Sequence, residues 1–226
     1  MPREKRVSES QSQSQSQRDS QGPSDSQGES VAGHRRGADA GGGEATRAGG
    51  VLALRGRVRE IPDFPKPGIQ FRDLTPLMGH GPSFRECVEL LKEQVAVHRP
   101  TVIVAVESRG FIFGAPVAAA LGVGLAPVRK PGKLPADVVR CTYALEYGTD
   151  ALEMHADAIG PGDRVVVVDD VLATGGTAAA TADLVRQQGA SVAAFCFVVE
   201  LGALGGRARL VGVGPGPVAV DSLILY

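Results

Sequence analysis

Residues 165–177 combine a predicted buried strand, two adjacent carboxylates and a loop of small residues. Asp169 and Asp170 follow four consecutive valines, and the loop after them places glycines between Thr174 and Thr177. Backbone N–H groups at the start of a helix, aided by the helix dipole, form a site for phosphate. Carboxylates repel an anion but suit a polyol or a bridging cation such as Mg²⁺. Phosphate, sugar hydroxyls and Mg²⁺ together indicate a phosphorylated ribose as the ligand.

Other interpretations of this run are weaker. A buried strand followed by a tight turn without a ligand leaves the paired aspartates without a function. A dinucleotide site requires a G-x-G-x-x-G motif, which these residues lack. The phosphate loop G-x-x-x-x-G-K-[ST] is also absent, because Thr177 follows Gly176 with no lysine between them.

Polar and basic residues follow two further predicted strands. Glu107, Ser108 and Arg109 follow the strand at residues 101–106, and a basic segment follows the strand at residues 124–128. Ligands of doubly wound sheets lie outside the carboxyl ends of the strands, so the three clusters should share one rim. A ribose with a 5-phosphate and a 1-diphosphate would span all three loops. Arginine and lysine bind phosphate oxygens strongly, and the candidates for the diphosphate are Arg109, Arg129, Lys130 and Lys133.

Alternating strands and helices predict an α/β fold with a doubly wound, mostly parallel sheet. The predicted helices cover residues 51–59, 82–98, 111–121 and 177–188. The predicted strands cover residues 101–106, 124–128, 165–168, 191–199 and 218–225. Closely spaced prolines predict a loop over residues 60–75. Residues 140–147 and 151–155 predict a hairpin or a mobile flap.

Residues 1–50 differ in composition from the rest of the chain. They contain no Leu, Ile, Phe, Tyr or Trp, and Ser and Gln alternate over residues 10–17. Such a segment cannot bury enough apolar area to offset the entropy lost on ordering. We therefore expect a disordered tail over residues 1–50 and one domain over residues 51–226. Translation that begins near Val51 is the alternative explanation of the tail.

The bulk composition disfavours several classes of protein. A formal net charge of −1 indicates neither a nucleic-acid nor an anionic-membrane partner. No apolar run approaches the roughly 18 residues that span a bilayer, and the first residues do not resemble a secretory signal. The chain has three cysteines, Cys87, Cys141 and Cys196, and their spacing is not that of a metal site. This pattern is typical of reduced thiols in a cytosolic protein. We therefore expect a cytoplasmic protein.

Five segments, in one order along the chain, carry a resemblance to a known family. Residues 165–177 resemble the phosphoribosyl-diphosphate motif of the type I phosphoribosyltransferases. The other four resemble segments of the adenine phosphoribosyltransferases within that family. Residues 62–73 resemble the base-binding hood, residues 107–111 the diphosphate loop, and residues 129–135 and 143–148 the two ends of a flexible lid.

The resemblance implies transfer of a phosphoribosyl group from phosphoribosyl diphosphate to N9 of adenine, giving AMP and diphosphate. It also implies a homodimer. Mg²⁺ would be held mainly by the substrate, with Asp169 and Asp170 reaching it directly or through water. Glu146 is implied as the general acid/base near the purine, and Arg109 and Lys133 as the groups that take up developing charge.

The resemblance further assigns residues to each part of the substrates. The ribose 5-phosphate residues are Asp169, Asp170, Ala173, Thr174, Gly175, Gly176 and Thr177. The diphosphate residues are Ser108, Arg109, Arg129, Lys130 and Lys133. The adenine residues are Gln70, Phe71 and Arg72, with Phe71 stacked on the base and the other two making polar contacts through main-chain atoms. Position 70 is usually apolar in the family, so Gln70 is a departure that bears on base preference.

Two alternative functions remain open on the sequence. The first is a phosphoribosyltransferase for another base. Hypoxanthine and guanine carry a 6-oxo group, for which a lysine donor is expected, and no lysine follows the phosphate loop. The second is a regulator that only senses phosphoribosyl diphosphate. Such regulators usually add a DNA-binding module, and residues 1–50 lack the apolar helical period to build one.

Overall fold

The computed structural model describes residues 40–144 and 148–226, with residues 40–46 and 144 described by their backbone alone. All of them belong to one compact unit, Asp39–Tyr226. The helices are α1 Ala40–Arg55, α2 Thr75–Met78, α3 Gly81–Ala96, α4 Arg109–Leu121, α5 Gly176–Gln187 and α6 Gly206–Val211, and a 3-10 helix covers Gly202–Leu204. The strands are β1 Arg59–Ile61, β2 Phe71–Asp73, β3 Val102–Val106, β4 Gly124–Val128, β5 Val138–Ala144, β6 Thr149–His155, β7 Arg164–Leu172, β8 Ser191–Glu200 and β9 Ala219–Leu225.

The central sheet has five parallel strands in the order β4-β3-β7-β8-β9. From β3 the chain winds through α4 to β4 on one side, and from β7 it winds through α5 to β8 on the other. The winding direction therefore reverses between β3 and β7. In open α/β sheets the crevice at such a reversal, outside the carboxyl ends of the strands, is where ligands bind.

The valines of β7 explain why both faces of the sheet are covered. Successive side chains of a strand point to opposite faces. Val166 and Val168 pack into the core formed with α1, α3 and α4, whereas Val165 and Val167 pack into the core formed with α5 and the β5–β6 hairpin. All four valines are fully buried. This double burial holds the end of β7, and the carboxylates on it, in a fixed position.

The predicted α/β fold with a parallel, doubly wound sheet is confirmed, and most predicted elements are present. The main differences are in length. β7 runs through both aspartates to Leu172, since it pairs with β8 as far as Glu200. α1 begins at Ala40 rather than Val51 and ends at Arg55, so residues 40–50 of the predicted tail are helical. The remainder of that tail, residues 1–39, lies outside the described residues.

Two small sheets complete the fold. β1 and β2 pair antiparallel. β2 and the last two residues of β1 lie in the segment predicted as a loop, residues 60–75, whereas Arg59 ended the predicted helix. The segment that resembles the hood, residues 62–73, includes β2. β5 and β6 pair antiparallel over their full length, which confirms the predicted hairpin. α6 and the 3-10 helix were not predicted. Among the described residues, no helix combines the length and apolar character needed to cross a membrane.

Candidate active site

A cleft of about 310 Å³ lies at the carboxyl ends of β3 and β7, where the winding direction reverses. It brings together the residues that follow these two strands, as the sequence predicted. The predicted site residues that line the cleft are Ser108, Arg109, Lys130, Asp169, Asp170, Ala173, Thr174, Gly175, Gly176 and Thr177. Glu107, which was not assigned to a ligand, lines it as well.

The loop at residues 173–176, called the phosphate loop below, has a shape that suits an anion. Its glycines and the two helices that contact it, α5 and α6, set that shape. Gly175 has a φ of 75°, a left-handed conformation that disfavours side chains, and α5 begins directly after it. Gly206, at the start of α6, presses against the back of the loop. A Cβ atom there would lie 2.2 Å from the carbonyl oxygen of Ala173. The loop therefore keeps a shape that directs free N–H groups of α5 toward the cleft.

Asp170 and Asp169 differ in their surroundings. The Asp170 side chain is only 6 % exposed, and its carboxylate accepts a hydrogen bond from Nε of Arg109. Asp169 accepts a hydrogen bond of 2.9 Å from the backbone N–H of Asp170. Desolvation, and then repulsion from the Asp170 carboxylate, raise the pKa of Asp169 well above its usual range. Asp169 is thus the carboxyl group that gains most from a hydroxyl donor or a cation.

Arg109 lies near three carboxylates from two elements, β7 and β2. Desolvation disfavours its charged form, but Asp170, Asp169 and Asp73 outweigh this effect and raise the pKa of Arg109. Asp73 is the last residue of β2, so the hood contributes to the electrostatic field of the cleft. Arg109 remains half exposed and carries its charge toward the site.

Glu107 contacts three residues of the basic segment after β4, residues 129–133. Its carboxylate accepts hydrogen bonds of 3.1 Å from Nε of Arg129 and from the backbone N–H of Lys130, and it forms an ion pair with Lys133. Desolvation alone would raise the pKa of Glu107, but these donors, led by Lys133, lower it. Arg129 and Lys133 do not line the cleft themselves and are placed beside it through Glu107.

The β5–β6 hairpin is tied to the phosphate loop. Lys130 forms an ion pair with Asp150, and the hydroxyl of Tyr143 donates to the same carboxylate at 3.1 Å. That hydroxyl also lies 3.5 Å from Oγ1 of Thr177. These contacts join the basic segment, the hairpin and the first turn of α5.

Glu146, the predicted general acid/base, lies outside the described residues. The residues that flank it in the hairpin are paired, because Ala144 of β5 is opposite Thr149 of β6. In the sequence, Glu146 falls between the end of β5 at Ala144 and the start of β6 at Thr149.

The hood residues do not line the cleft. Phe71 packs edge-on against Phe64, with ring centroids 5.1 Å apart. The guanidinium of Arg72 lies 3.9 Å from the ring centroid of Tyr226 and forms an ion pair with Glu60, so its side chain is engaged within the protein. Gln70 is exposed. The expectation that Gln70 and Arg72 act through main-chain atoms stays a prediction.

The carboxylates at the end of β7 suit Mg²⁺. Mg²⁺ prefers oxygen ligands and usually takes one or two carboxylates together with water and substrate phosphates. Asp169 supplies such oxygens at the cleft, whereas Asp170 is already paired with Arg109. This donor set fits an ion held mainly by a substrate, and it is too small to hold the ion by protein ligands alone.

Comparison with known proteins identifies the family of this chain. Residues 78–209 match the model of the phosphoribosyl transferase domain family. An adenine phosphoribosyltransferase of Carboxydothermus hydrogenoformans is 58 % identical over 161 residues, which cover 71 % of this chain and 95 % of that protein.

Solved structures agree as well. The adenine phosphoribosyltransferase of Thermoanaerobacter pseudethanolicus superposes with a TM-score of 0.74 at 48 % identity, covering 78 % of this chain and 99 % of that one. The Saccharomyces cerevisiae enzyme, solved with an imino-altritol bisphosphate and adenine, gives 0.71 at 39 % identity, covering 78 % and 99 %. On its sequence, its sheet topology and the residues that line its cleft, this chain belongs to the adenine phosphoribosyltransferases.

Proposed function

We infer that this chain transfers the 5-phosphoribosyl group of phosphoribosyl diphosphate to N9 of adenine, giving AMP and diphosphate. One observation carries this conclusion: a single cleft combines the start of helix α5, the carboxylate of Asp169, whose charged form is disfavoured, and the guanidinium of Arg109. These three features suit the 5-phosphate, the ribose hydroxyls and the diphosphate of one substrate.

The 5-phosphate would lie at the start of α5. The backbone N–H groups of the loop and the hydroxyls of Thr174 and Thr177 supply donors there, and the helix dipole favours negative charge. Ala173, Gly175 and Gly176 contribute through the backbone. The rigid support from Gly206 means that little entropy is lost when the phosphate binds.

The ribose hydroxyls would donate to Asp169 and Asp170, directly or through water on Mg²⁺. When bound, Mg²⁺ neutralises charge on the diphosphate and orients it for departure. Asp169 is suited to this position because a hydroxyl donor or a cation relieves its repulsion from Asp170.

The diphosphate would lie against Ser108, Arg109 and Lys130, which line the same cleft. Arg109 stabilises the charge that develops on the leaving group as the bond to C1 breaks. Arg129 and Lys133 are brought beside the cleft by Glu107, and Lys133 adds further positive charge when the lid closes. Charge stabilisation, positioning and exclusion of water are the main requirements of this reaction.

Adenine would stack on Phe71, with the backbone of Gln70 and Arg72 reading its polar edge. Glu146 would accept the proton that leaves the purine imidazole ring as N9 attacks C1. Its place in the β5–β6 connection fits a lid that closes over the reacting atoms.

We also propose a cytoplasmic homodimer. The three cysteines are free and buried, which agrees with a reducing compartment. Sedimentation analysis tests the dimer.

A base-panel assay tests the function. Labelled phosphoribosyl diphosphate is offered with adenine, hypoxanthine, guanine, xanthine or uracil, with and without Mg²⁺. We expect AMP from adenine only, in a reaction that requires Mg²⁺. A nucleotide formed from another base in preference to AMP contradicts the base assignment, and no nucleotide at all supports the regulator alternative.

Glu146 is tested in the same assay. Glu146→Ala should lower kcat far more than it raises KM for either substrate, because the group acts on the reacting proton. Unchanged turnover removes Glu146 from the mechanism. A version of the protein without the predicted tail, assayed beside the full chain, should begin at Ala40 rather than Val51, because α1 begins there.

A further inference from the structure

Arg209 lies next to the phosphate loop although it belongs to none of the segments that suggested the site. It is in α6, the helix whose first residue, Gly206, packs against Ala173. A Cβ atom on Gly176 would lie 3.5 Å from Nη1 of Arg209 and 3.8 Å from Oγ1 of Thr174. The guanidinium therefore lies beside the first residue of α5, near the side chain of Thr174.

Arg209 is unlike the other cations near the cleft. Arg109, Lys130 and Lys133 are each paired with a carboxylate. Arg207, on the same helix, is paired with Glu200. Arg209 is exposed. Among the side chains that the structure describes, no carboxylate forms an ion pair with Arg209.

The position of this charge is set by packing. α6 cannot move away from the loop without opening the contact between Gly206 and Ala173, and Leu210 anchors the helix in the core. The carboxylates at the end of β7 repel a phosphate dianion, so added positive charge beside the loop opposes that repulsion. A guanidinium is permanently charged and is well suited to this task.

We propose that Arg209 is a positioning residue for the 5-phosphate, acting through its charge on the loop and the start of α5. This inference rests on the proposed placement of the 5-phosphate. It predicts a selective effect: ligands with a 5-phosphate should depend on Arg209, whereas inorganic diphosphate and adenine should not.

The test compares Arg209→Gln and Arg209→Lys with Arg85→Gln. Arg85 is an exposed arginine of α3, which packs on the opposite face of the sheet from α5. Titration calorimetry measures Kd for AMP and for inorganic diphosphate, and steady-state kinetics give KM for both substrates.

In Arg209→Gln we expect Kd for AMP and KM for phosphoribosyl diphosphate to rise about fivefold. The effect is modest because the removed charge is exposed, and water and salt weaken its attraction for the phosphate dianion. Kd for diphosphate, KM for adenine and kcat should stay at the values of the unmodified protein. Arg209→Lys should retain most of the affinity, and Arg85→Gln all of it. The defect should shrink at about 1 M salt, where the screening length is about 3 Å.

Equal AMP affinity in Arg209→Gln and the unmodified protein overturns the inference. Equal weakening of AMP and diphosphate overturns it too, because the residue would then act on overall charge. A defect that Arg209→Lys shares, or that persists at high salt, indicates structural support of α6 instead. Failure of the 5-phosphate placement is recognised separately, since a Gly175→Ala change in the loop would then leave AMP binding intact.

Discussion

Nε of Arg109 donates to the carboxylate of Asp170, and this ion pair joins the first residue of α4 to the end of β7. Arg109 begins the helix that follows β3, whereas Asp170 is in β7, the neighbouring strand of the sheet. Asp170 is buried, so it depends on Arg109 for compensation of its charge. A diphosphate that binds Arg109 must share it with Asp170. The pair is therefore structural and functional at once.

Arg109→Ala should lower kcat by about 100-fold or more, because it removes charge stabilisation of the leaving group. It should also lower the free energy of unfolding by about 1–2 kcal/mol, since Asp170 is left without a partner. The double change Arg109→Ala with Asp170→Asn should recover stability but not turnover. Urea unfolding and steady-state kinetics measure the two effects. Recovery of turnover in the double variant would contradict a direct role for Arg109.

Asp169→Asn should change how stability depends on pH. A carboxyl group whose pKa is higher in the folded state binds its proton more tightly there, so the free energy of unfolding falls as pH rises between the two pKa values. The unliganded protein should therefore lose stability from Asp169 as pH rises above about 4, the usual pKa of an aspartate. The asparagine variant lacks this loss, and its advantage should grow with pH in urea unfolding experiments.

The matched control for this comparison is Asp157→Asn, which alters an exposed carboxylate. Its stability is measured over the same pH range, because an exposed side chain is not desolvated on folding. A difference for Asp169→Asn that is no steeper than that for Asp157→Asn would contradict the raised pKa of Asp169.

Gly206→Ala should displace the phosphate loop, which Gly206 contacts at Ala173. The added methyl group meets the Ala173 carbonyl oxygen and Cδ1 of Leu172, which would lie 2.8 Å away, so the loop or α6 must shift. We expect a loss of about 1–3 kcal/mol in the free energy of unfolding and a higher KM for phosphoribosyl diphosphate. Gly212→Ala, at the end of the same helix, meets no atom within 4 Å and should change neither value. Equal behaviour of the two variants would refute the bracing role of Gly206.

Phe71→Ala should raise KM for adenine by about tenfold, because stacking of a base on an aromatic ring contributes about 1–3 kcal/mol. KM for phosphoribosyl diphosphate should hardly change, since Phe71 does not line the phosphate cleft. Phe64→Leu removes the edge contact to Phe71 while keeping the stacking ring, and its effect should be smaller. A larger effect of Phe64→Leu would place the base elsewhere.

Much of the fold was predictable because its signals are local. Consecutive apolar residues mark β3, β4, β7 and β8, and β4 has the predicted bounds. Convergence of the loops after β3 and β7 follows from the parallel sheet. Pairing of β1 with β2 was not predictable, because each is three residues long and an interval rich in prolines separates them.

The residues that the sequence missed act through contacts across the chain. The sequence predicts that Glu107 lies in a polar loop after β3. Its contacts with Arg129 and Lys130, which follow β4, appear only in the folded structure. α6 lies among glycines that predict a loop, so neither Gly206 nor Arg209 was assigned to the site. The side chain of Arg72 packs against Tyr226, about which a linear motif carries no information. Only the spacing of the glycines near Gly206 could have pointed to a close approach of backbones.

The ion pair between Arg109 and Asp170 spans 61 residues of sequence, so the cleft exists only when strands from both halves of the sheet are side by side. A ligand that binds the assembled cleft and not the unfolded chain shifts the folding equilibrium by mass action. Substrate therefore protects the entire domain, including elements far from it, against heat and proteolysis. Cellular abundance of the enzyme is thereby coupled to the supply of its activated sugar.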